Sequence, residues 1–409
     1  MNVKKGGVSK LRWLVLSSSF LVMMIISIYQ YSWFLFAHAF HNQLNWNLAT
    51  IGLTFTIFTY AATFIQPFSG FLSDSYGPRK VAIIAALLVG TSFILISFVN
   101  SPSGLYLFYG IGGLGVGVLY GISIACAVKW FPEKRGFATG LVVFGFGAGT
   151  AIFNWLIEAL IESKGLSATF FYLGMGMIII LLPLSLFYEY PQKDRMHFID
   201  HTGTGESTSI DFRPFEMLRT YQWFLIYFSF IVTVSVVLIF GAQMKMLADE
   251  FKVPARYFKI LMVLFPLGNG LSRIFAGSIS DIIGREKTMM LFYAALSLSI
   301  FAFVVFAHIL PLFMLTVFIA ALLGGAPFAL YPATVGDYYG PKHSTTNYGV
   351  TYTAKAWAGL ISGLLSGYLV MKFGSYKFPL VLIGFCSLIA ALISNPKLMK
   401  APKNKKILG

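Results

Sequence analysis

The sequence predicts an all-α membrane protein: twelve transmembrane helices in two pseudo-symmetric six-helix bundles. Three observations carry that prediction. Of the 409 residues, 57% are hydrophobic and only 11% are charged, a balance suited to lipid rather than water. The apolar runs are long and apolar all round, whereas strands of a membrane barrel alternate apolar and polar residues over about ten positions. A short motif also occurs twice, once in each half of the chain.

A spanning helix needs about 20 apolar residues. Runs of that kind cover residues 12–36, 50–73, 81–99, 104–128, 137–160, 168–188, 222–244, 256–280, 288–307, 311–335, 346–371 and 378–395. The first run is followed by no small-residue cleavage site and is too long for a signal-peptide core, so it reads as a retained first span. Cys126 and Cys386 both fall inside spans and read as packing residues.

The basic residues set the orientation. With even-numbered spans running inward, twenty-one Lys and Arg fall on the side of the termini and seven on the other, which places both termini in the cytoplasm. The net charge of +15 and the basic tail then read as topology signals and anionic-lipid contacts, not as a nucleic-acid surface. A polar segment divides the spans six and six. The expected organisation is an N-terminal bundle over 1–188, a cytoplasmic linker over 189–221 containing HTGTGESTS at 201–209, and a C-terminal bundle over 222–409.

The repeated motif is GFLSDSYGPRK at 70–80 and GSISDIIGREK at 277–287. Gly70, Asp74, Gly77 and Lys80 recur as Gly277, Asp281, Gly284 and Lys287, with Arg79 and Arg285 supplying further basic charge. Helices 1 and 7 share a weaker match, Trp13, Ser19 and Phe20 against Trp223, Ser229 and Phe230. The physical reading is a tight turn at the glycines, an Asp at helix termini, and a basic end at the inner leaflet. Here the chain resembles the major facilitator superfamily, whose loop between helices 2 and 3 has the form G-x-x-x-D-x-x-G-R-[RK]. The resemblance implies the twelve-helix fold and a conformational rather than substrate-binding role for the motif. Ser75 and Ile282 occupy the place where members often carry Arg.

A narrower resemblance lies in QYSWFLFA (30–37), GVGVLYGI (115–122), KWFPEKRGFATG (129–140), MLRTYQW (217–223), the Asn269-to-Arg273 spacing and NYGVTYTAKA (347–356). Together these look like the oxalate/formate antiporter family, a branch near the monocarboxylate transporters. In that family an Arg of helix 8 and a Lys of helix 11 bind substrate carboxylates, which implies Arg273 and Lys355.

The charge census reaches the same pair without the resemblance. Of thirty Lys and Arg residues, only Arg273 and Lys355 fall within spans beyond the terminal turn, where Arg12, Arg256 and Lys259 lie. A charge at mid-helix costs about 2.5–3.5 kcal/mol on insertion scales, so such residues are functional or paired. Snorkelling is the competing reading for Arg273, about five residues inside the expected end of its helix. The acids Asp74, Asp281, Glu133, Glu286 and Asp337 read as cytoplasmic connections, and none is a convincing buried partner, so the counter-charge is expected from an organic anion. The repeat offset maps Arg273 to Gln66, which makes the N-terminal wall neutral.

The site's other wall is expected to be aromatic and amide, from Gln30, Tyr31 and Trp33 of helix 1, Tyr120 of helix 4, Phe146 of helix 5, Phe328 of helix 10 and Tyr352 of helix 11. Among 41 Phe and 21 Tyr, a single aromatic is ordinarily packing. The resemblance selects Tyr31, Tyr120 and Tyr352. Gly324, Phe328 and Phe146 depart from the aromatic and tyrosine residues of the oxalate carriers, which leaves the acid unnamed. The glycines of GIGGLGVGVLYG (110–121), GFGAG (145–149) and the 359, 363, 367 triplet read as close-packing faces. GIGGLG has no preceding strand and is no dinucleotide fingerprint.

The expected function is transport of small mono- or dicarboxylates by alternating access, as antiport of the oxalate/formate type. Proton-coupled symport of a monocarboxylate is the alternative, with Lys355, His38 or His41 as the proton-handling group. No nucleophile–base pair or His/Asp/Glu cluster in the spans supports an enzyme, and no cofactor or metal is expected. A nutrient sensor would need more than these short tails. The expected setting is the bacterial inner membrane, with the chain a monomer whose partners are the carboxylate and the lipid bilayer.

Overall fold

The computed structural model describes residues 2–46, 48–191 and 211–402, so HTGTGESTS and the last part of the basic tail lie outside the described residues. Among them the chain is helical. Ten stretches are long and apolar enough to cross a membrane, from Lys10–His41 to Leu310–Tyr339, and they follow the first ten expected spans; Lys377–Ile393 is a shorter apolar helix.

One compact unit comprises Met1–Glu133, Val142–Gly205 and Pro341–Val350. It holds α1 (Asn2–Tyr31), α2 (Trp33–Leu44), α3 (Leu48–Phe64), α4 (Gln66–Tyr76), α5 (Pro78–Ile96), α6 (Pro102–Trp130), most of α7 (Arg135–Lys164) and α8 (Leu166–Ser185). The first expected span is therefore two helices, separated at Ser32, and the second is divided at Ile65. α6 starts where the Ser101 hydroxyl accepts from the Gly104 N–H at 3.3 Å, with Pro102 in the first helical position. It is apolar on every face and buried along most of its length, as a central helix must be. The glycines let neighbours reach its backbone: a Cβ on Gly117 would lie 2.1 Å from the Ala62 carbonyl oxygen of α3. In GFGAG, a Cβ on Gly149 would lie 2.3 Å from the Met24 carbonyl oxygen. A cluster of Tyr29, Phe58, Phe93 and Tyr109 fills the centre, where Tyr29 donates to Val89 O and Tyr109 to Tyr29 O, both at 2.7 Å.

The second unit comprises Lys134–Leu141, Glu206–Gly340 and Thr351–Gly409. Its helices are α9 (Pro214–Leu218), α10 (Tyr221–Glu250), α11 (Ala255–Ile283), α12 (Arg285–Phe306), α13 (Leu310–Gly324), α14 (Pro327–Tyr339), α16 (Ala354–Leu360), α17 (Ser366–Phe373) and α18 (Lys377–Ile393). α15 (Ser344–Tyr352) precedes α16 and belongs mostly to the first unit. The eleventh expected span is thus not one helix. It breaks at Thr353 and passes through a π-turn at Ile361–Leu365, where Gln243 donates to Ser366 Oγ at 2.6 Å and to the Ser362 carbonyl.

Three sequence expectations need correction. α11 runs to Ile283, so Arg273 is ten residues from its end rather than about five, and it is only 3% exposed, too deep to snorkel. Asp337 lies inside α14, near its end, because the helix continues past residue 335. Gly359 and Gly367 are not close-packing positions, since a Cβ at either would meet nothing within 4 Å.

Candidate substrate-binding site

The repeated motif folds the same way twice. Gly77 (φ 88°, ψ 152°) ends α4 and Gly284 (φ 93°, ψ 156°) ends α11, a left-handed-side backbone that favours glycine. Each Asp four residues into its motif caps the first turn of another helix, whose N–H groups have no intrahelical acceptor. Asp74 Oδ2 accepts from the Thr346 N–H of α15 at 2.9 Å, and Oδ1 accepts from Lys129 Nζ and Thr345 Oγ1, both at 2.6 Å. Asp281 accepts from the N–H groups of Gly136 and Phe137 in α7 at 2.9 and 2.7 Å, and from Arg285 Nη1 at 2.6 Å.

The glycines at the motif's start make room for those caps. A Cβ on Gly70 would lie 2.7 Å from Thr346 Cα, and one on Gly277 would lie 2.0 Å from Gly136 O. The bases differ between copies. Lys129, from KWFPEKRG, serves Asp74, whereas Arg285 serves Asp281 and also donates from Nε to Asp337 at 2.7 Å, which Arg135 joins. Arg79 pairs instead with Glu189 at 3.4 Å on a more exposed edge. The acids nearest the spans thus have bases that the sequence did not assign to them.

In the second unit, α11 presents Arg273. Its Nη2 donates to Asn269 Oδ1 one turn earlier at 2.9 Å, and its guanidinium carbon lies 5.0 Å from the Phe328 ring centre of α14. Lys355, the second residue of α16, is half-buried; its Nζ donates to Tyr352 Oη at 3.2 Å and lies 5.4 Å from that ring's centre. Arg273 and Lys355 lie within electrostatic reach of one another. Phe328, Arg273, Asn269, Tyr352 and Lys355 therefore form one cationic, ring-lined group.

Its packing depends on a residue missing from the expected set. Phe230 of α10 has ring contacts to Phe328 (6.2 Å), Tyr331 (4.5 Å) and Tyr352 (6.1 Å). Phe230 was one of the three matches between the first and seventh helices, and that repeat was the available signal. Tyr227, one turn earlier, bonds Thr353 Oγ1 at 2.8 Å, at the break between α15 and α16, and nothing in the sequence marked that contact.

The first unit gathers a second set. Phe146 of α7 meets Tyr31 of α1 (5.4 Å) and Tyr120 of α6 (5.3 Å), both edge-on. Gln66, buried at the start of α4, lies beside the helix position after Tyr120: a Cβ on Gly121 would be 3.6 Å from Gln66 Oε1. Gln30 is half-buried next to Tyr31. Trp33, across the break at Ser32, packs its ring on Phe55 (6.0 Å) and Tyr109 (4.7 Å), among the core aromatics.

Residues 15–246 and 228–407 each match the family model described as Major Facilitator Superfamily. The chain is 32% identical over 366 residues to the oxalate:formate antiporter of Oxalobacter formigenes, a match covering 89% of this chain and 86% of that protein. It is also 32% identical over 378 residues to an uncharacterized 38 kDa protein in the 23S RNA operon of Thermoproteus tenax, covering 92% of this chain and 94% of the other. Among solved structures, the proton:xylose symporter XylE superposes with a TM-score of 0.72 at 14% identity over 98% of both chains, a likeness of fold.

Proposed function

The chain belongs to the major facilitator superfamily, and on that premise we propose that it is a secondary active transporter carrying small organic anions, mono- or dicarboxylates, by alternating access. It is a membrane transporter and not an enzyme. The carboxylate class rests on one observation: two cationic side chains, Arg273 and Lys355, lie beside the rings of Phe328 and Tyr352, and both rings pack on Phe230. Like charges in a poorly solvated place repel strongly. An anion relieves that repulsion; the planar guanidinium offers a carboxylate two parallel bonds, and the ammonium a movable point charge.

Exchange follows from the same electrostatics. An anion bound beside both cations adds an attraction that the empty form lacks, so the loaded form is read as crossing more readily than the empty one, which gives antiport of one carboxylate for another. Kinship with an oxalate:formate antiporter supports this reading. The aromatic set of Tyr31, Tyr120 and Phe146, with Gln30, Gln66 and Trp33, is assigned to the neutral wall. The motif residues Gly70, Asp74, Gly77, Arg79, Gly277, Asp281, Gly284 and Arg285 are assigned to conformational control. Both termini are placed in the cytoplasm and the chain in a bacterial inner membrane, as a monomer.

Counterflow in proteoliposomes tests the proposal. Uptake of labelled acid should require unlabelled acid inside, and Arg273→Gln and Lys355→Gln should each abolish it. Uptake independent of internal acid defeats antiport, and external alkalinisation on substrate addition identifies proton-coupled monocarboxylate symport instead.

A further inference from the structure

The helix that carries Arg273 is cationic at its other end as well. Arg256 and Lys259 lie exposed in the first two turns of α11, and Lys252 is exposed in the turn before it. Among the described residues no ion pair joins Arg256 or Lys259 to an acid. Of the two acids nearest in sequence, Asp249 and Glu250, the second is engaged by Ser375 and Tyr376.

Helix geometry connects these cations to Arg273. Arg256, Lys259, Val263, Pro266, Gly270 and Arg273 are alternately three and four residues apart, which sets them in one stripe along α11. The first four are exposed and the last two buried, so the stripe descends from the surface to the guanidinium, over about 21 Å from Lys259. Ile260, Leu267, Leu271 and Phe275 take a different course. They lie on the adjacent face and stay exposed past Arg273, as a lipid-facing row does.

The other copy of the repeat carries the same stripe without the charge. The offset that brings Gly70 onto Gly277 sets Ala49, Gly52, Thr56, Thr59, Thr63 and Gln66, along α3 to the start of α4, against the six residues above. Exposure fades there too: Gly52 and Thr56 are exposed, Thr59 is half-buried, and Thr63 and Gln66 are buried. Thr63 Oγ1 has no hydrogen-bond partner. A row of hydroxyls ending in an amide is poorly matched to hydrocarbon, so these matched positions suit a polar solute better than lipid.

We propose that Arg256 and Lys259 are an anion-capture pair: an exposed site that draws a small carboxylate from solution and passes it along the α11 stripe to Arg273. The proposal rests on the reading that Arg273 holds a carboxylate, and it adds a separate, earlier contact. Unpaired surface cations raise the local concentration of an anion and its rate of encounter, and salt screens the effect. Lys259 is one turn from Val263 and Arg256 two turns, both well within the screening length of about 30 Å in 0.01 M salt.

Val263 is 60% exposed and Cys126 is buried, so Val263→Cys in a Cys386→Ser background supplies a reporter thiol on the stripe. Its labelling is timed in neutral detergent with an anionic sulfonatoethyl and a cationic trimethylammonioethyl methanethiosulfonate, each corrected for its rate with a free thiol. At low salt the anionic reagent should be favoured by about fivefold or more. The ratio should fall toward one in Arg256→Gln/Lys259→Gln and at about 0.5 M salt, and Arg273→Gln should leave it unchanged. In counterflow at low ionic strength, with labelled oxalate and labelled formate as probes, the double variant should raise KM about threefold or more with the maximal rate unchanged.

No preference for the anionic reagent, or one that survives the double variant, overturns the proposal. So does a preference that Arg273→Gln removes, which places the field at the deep cation, and so does an unchanged KM. A preference present in detergent and absent in phosphatidylglycerol vesicles assigns the pair to lipid headgroups instead. Wild type that exchanges neither acid while the labelling ratios hold counts against the transport reading and supports the pair as an anion site.

Discussion

Lys355 Nζ donates to Tyr352 Oη at 3.2 Å across a helix break, with Tyr352 closing α15 and Lys355 near the start of α16. Between them Thr353 is tied to Tyr227 at 2.8 Å. A four-carbon lysine stem has many rotamers, and these contacts limit them. On the proposed reading, an ammonium restrained in this way lowers the ordering cost of binding an anion.

Tyr352→Phe removes the acceptor and keeps the ring. A hydrogen bond to a charged group is worth about 1.5–3 kcal/mol, so carboxylate affinity should fall by about tenfold or more, with the melting temperature of the unliganded protein little changed. Calorimetric titration of wild type and variant decides it. An unchanged affinity would remove Tyr352 from the binding group and leave it a packing residue against Phe230.

Asp74 and Lys129 form a nearly sealed pair at 2.6 Å, with side chains 4% and 7% exposed. Breaking one side of a buried pair costs about 3–5 kcal/mol because the remaining charge stays uncompensated. Asp74→Asn should lower the melting temperature clearly, and adding Lys129→Met should recover part of the loss. If the double variant is no more stable than the single one, the helix-capping bonds to Thr345 and Thr346, rather than the ion pair, carry the stability.

The sequence already contained most of this pairing, though not its wiring. The repeat located Asp74 and Asp281, and their glycines take matching backbone angles as the motif required. Lys129 was visible only as a base in an inner loop, because nothing in spacing along a chain reports which base reaches an acid 55 residues away. Arg273 and Lys355 stood out because lipid makes a lone charge conspicuous by hydropathy alone. Phe230 did not, since in a chain of 41 Phe one ring that touches three others looks like any other. The irregular eleventh span was hidden for a related reason: Thr353 and the π-turn bond to Tyr227 and Gln243 on another helix, and such contacts leave no mark in local hydropathy.

Glycine spacing was the least reliable signal, and it separates two classes of substitution. Gly325→Ala would place a methyl group 2.1 Å from the Asn269 carbonyl oxygen, forcing α14 away from α11. That change should cost about 1–3 kcal/mol of stability, and also weaken carboxylate binding, because Arg273 and Phe328 sit on the two helices being separated. Gly359→Ala and Gly367→Ala meet open space and exchange a poor helix former for the best one, so both should be neutral or stabilising by up to about 1 kcal/mol. Thermal melts of the three variants check the ordering; equal destabilisation at all three would mean that α16 and α17 are packed faces after all.

Glu250 closes α10 by reaching the start of α18: its Oε1 accepts from Ser375 Oγ at 2.5 Å and its Oε2 from the Tyr376 N–H at 3.1 Å. Tyr376 lies in the turn between α17 and α18, outside the spans, with its hydroxyl 3.1 Å from Met246 Sδ. Burial first, and the Glu250 carboxylate second, hold its phenol above the ordinary value of 10.0. A phenol raised in the folded state binds more protons there than in the unfolded chain once the pH passes the ordinary value, so stability falls with rising pH from that point. The contribution is complete below about pH 10 and is lost as the pH climbs through the raised value. Tyr376→Phe cannot ionise, so its melting temperature should decline less steeply than that of wild type above pH 10. Glu250→Gln should bring tyrosinate formation at this residue to lower pH, read as the ultraviolet difference between that variant and the Glu250→Gln/Tyr376→Phe double variant. Identical alkaline melting curves for wild type and Tyr376→Phe would show that the phenol is solvated and that Glu250 acts on the α18 backbone alone.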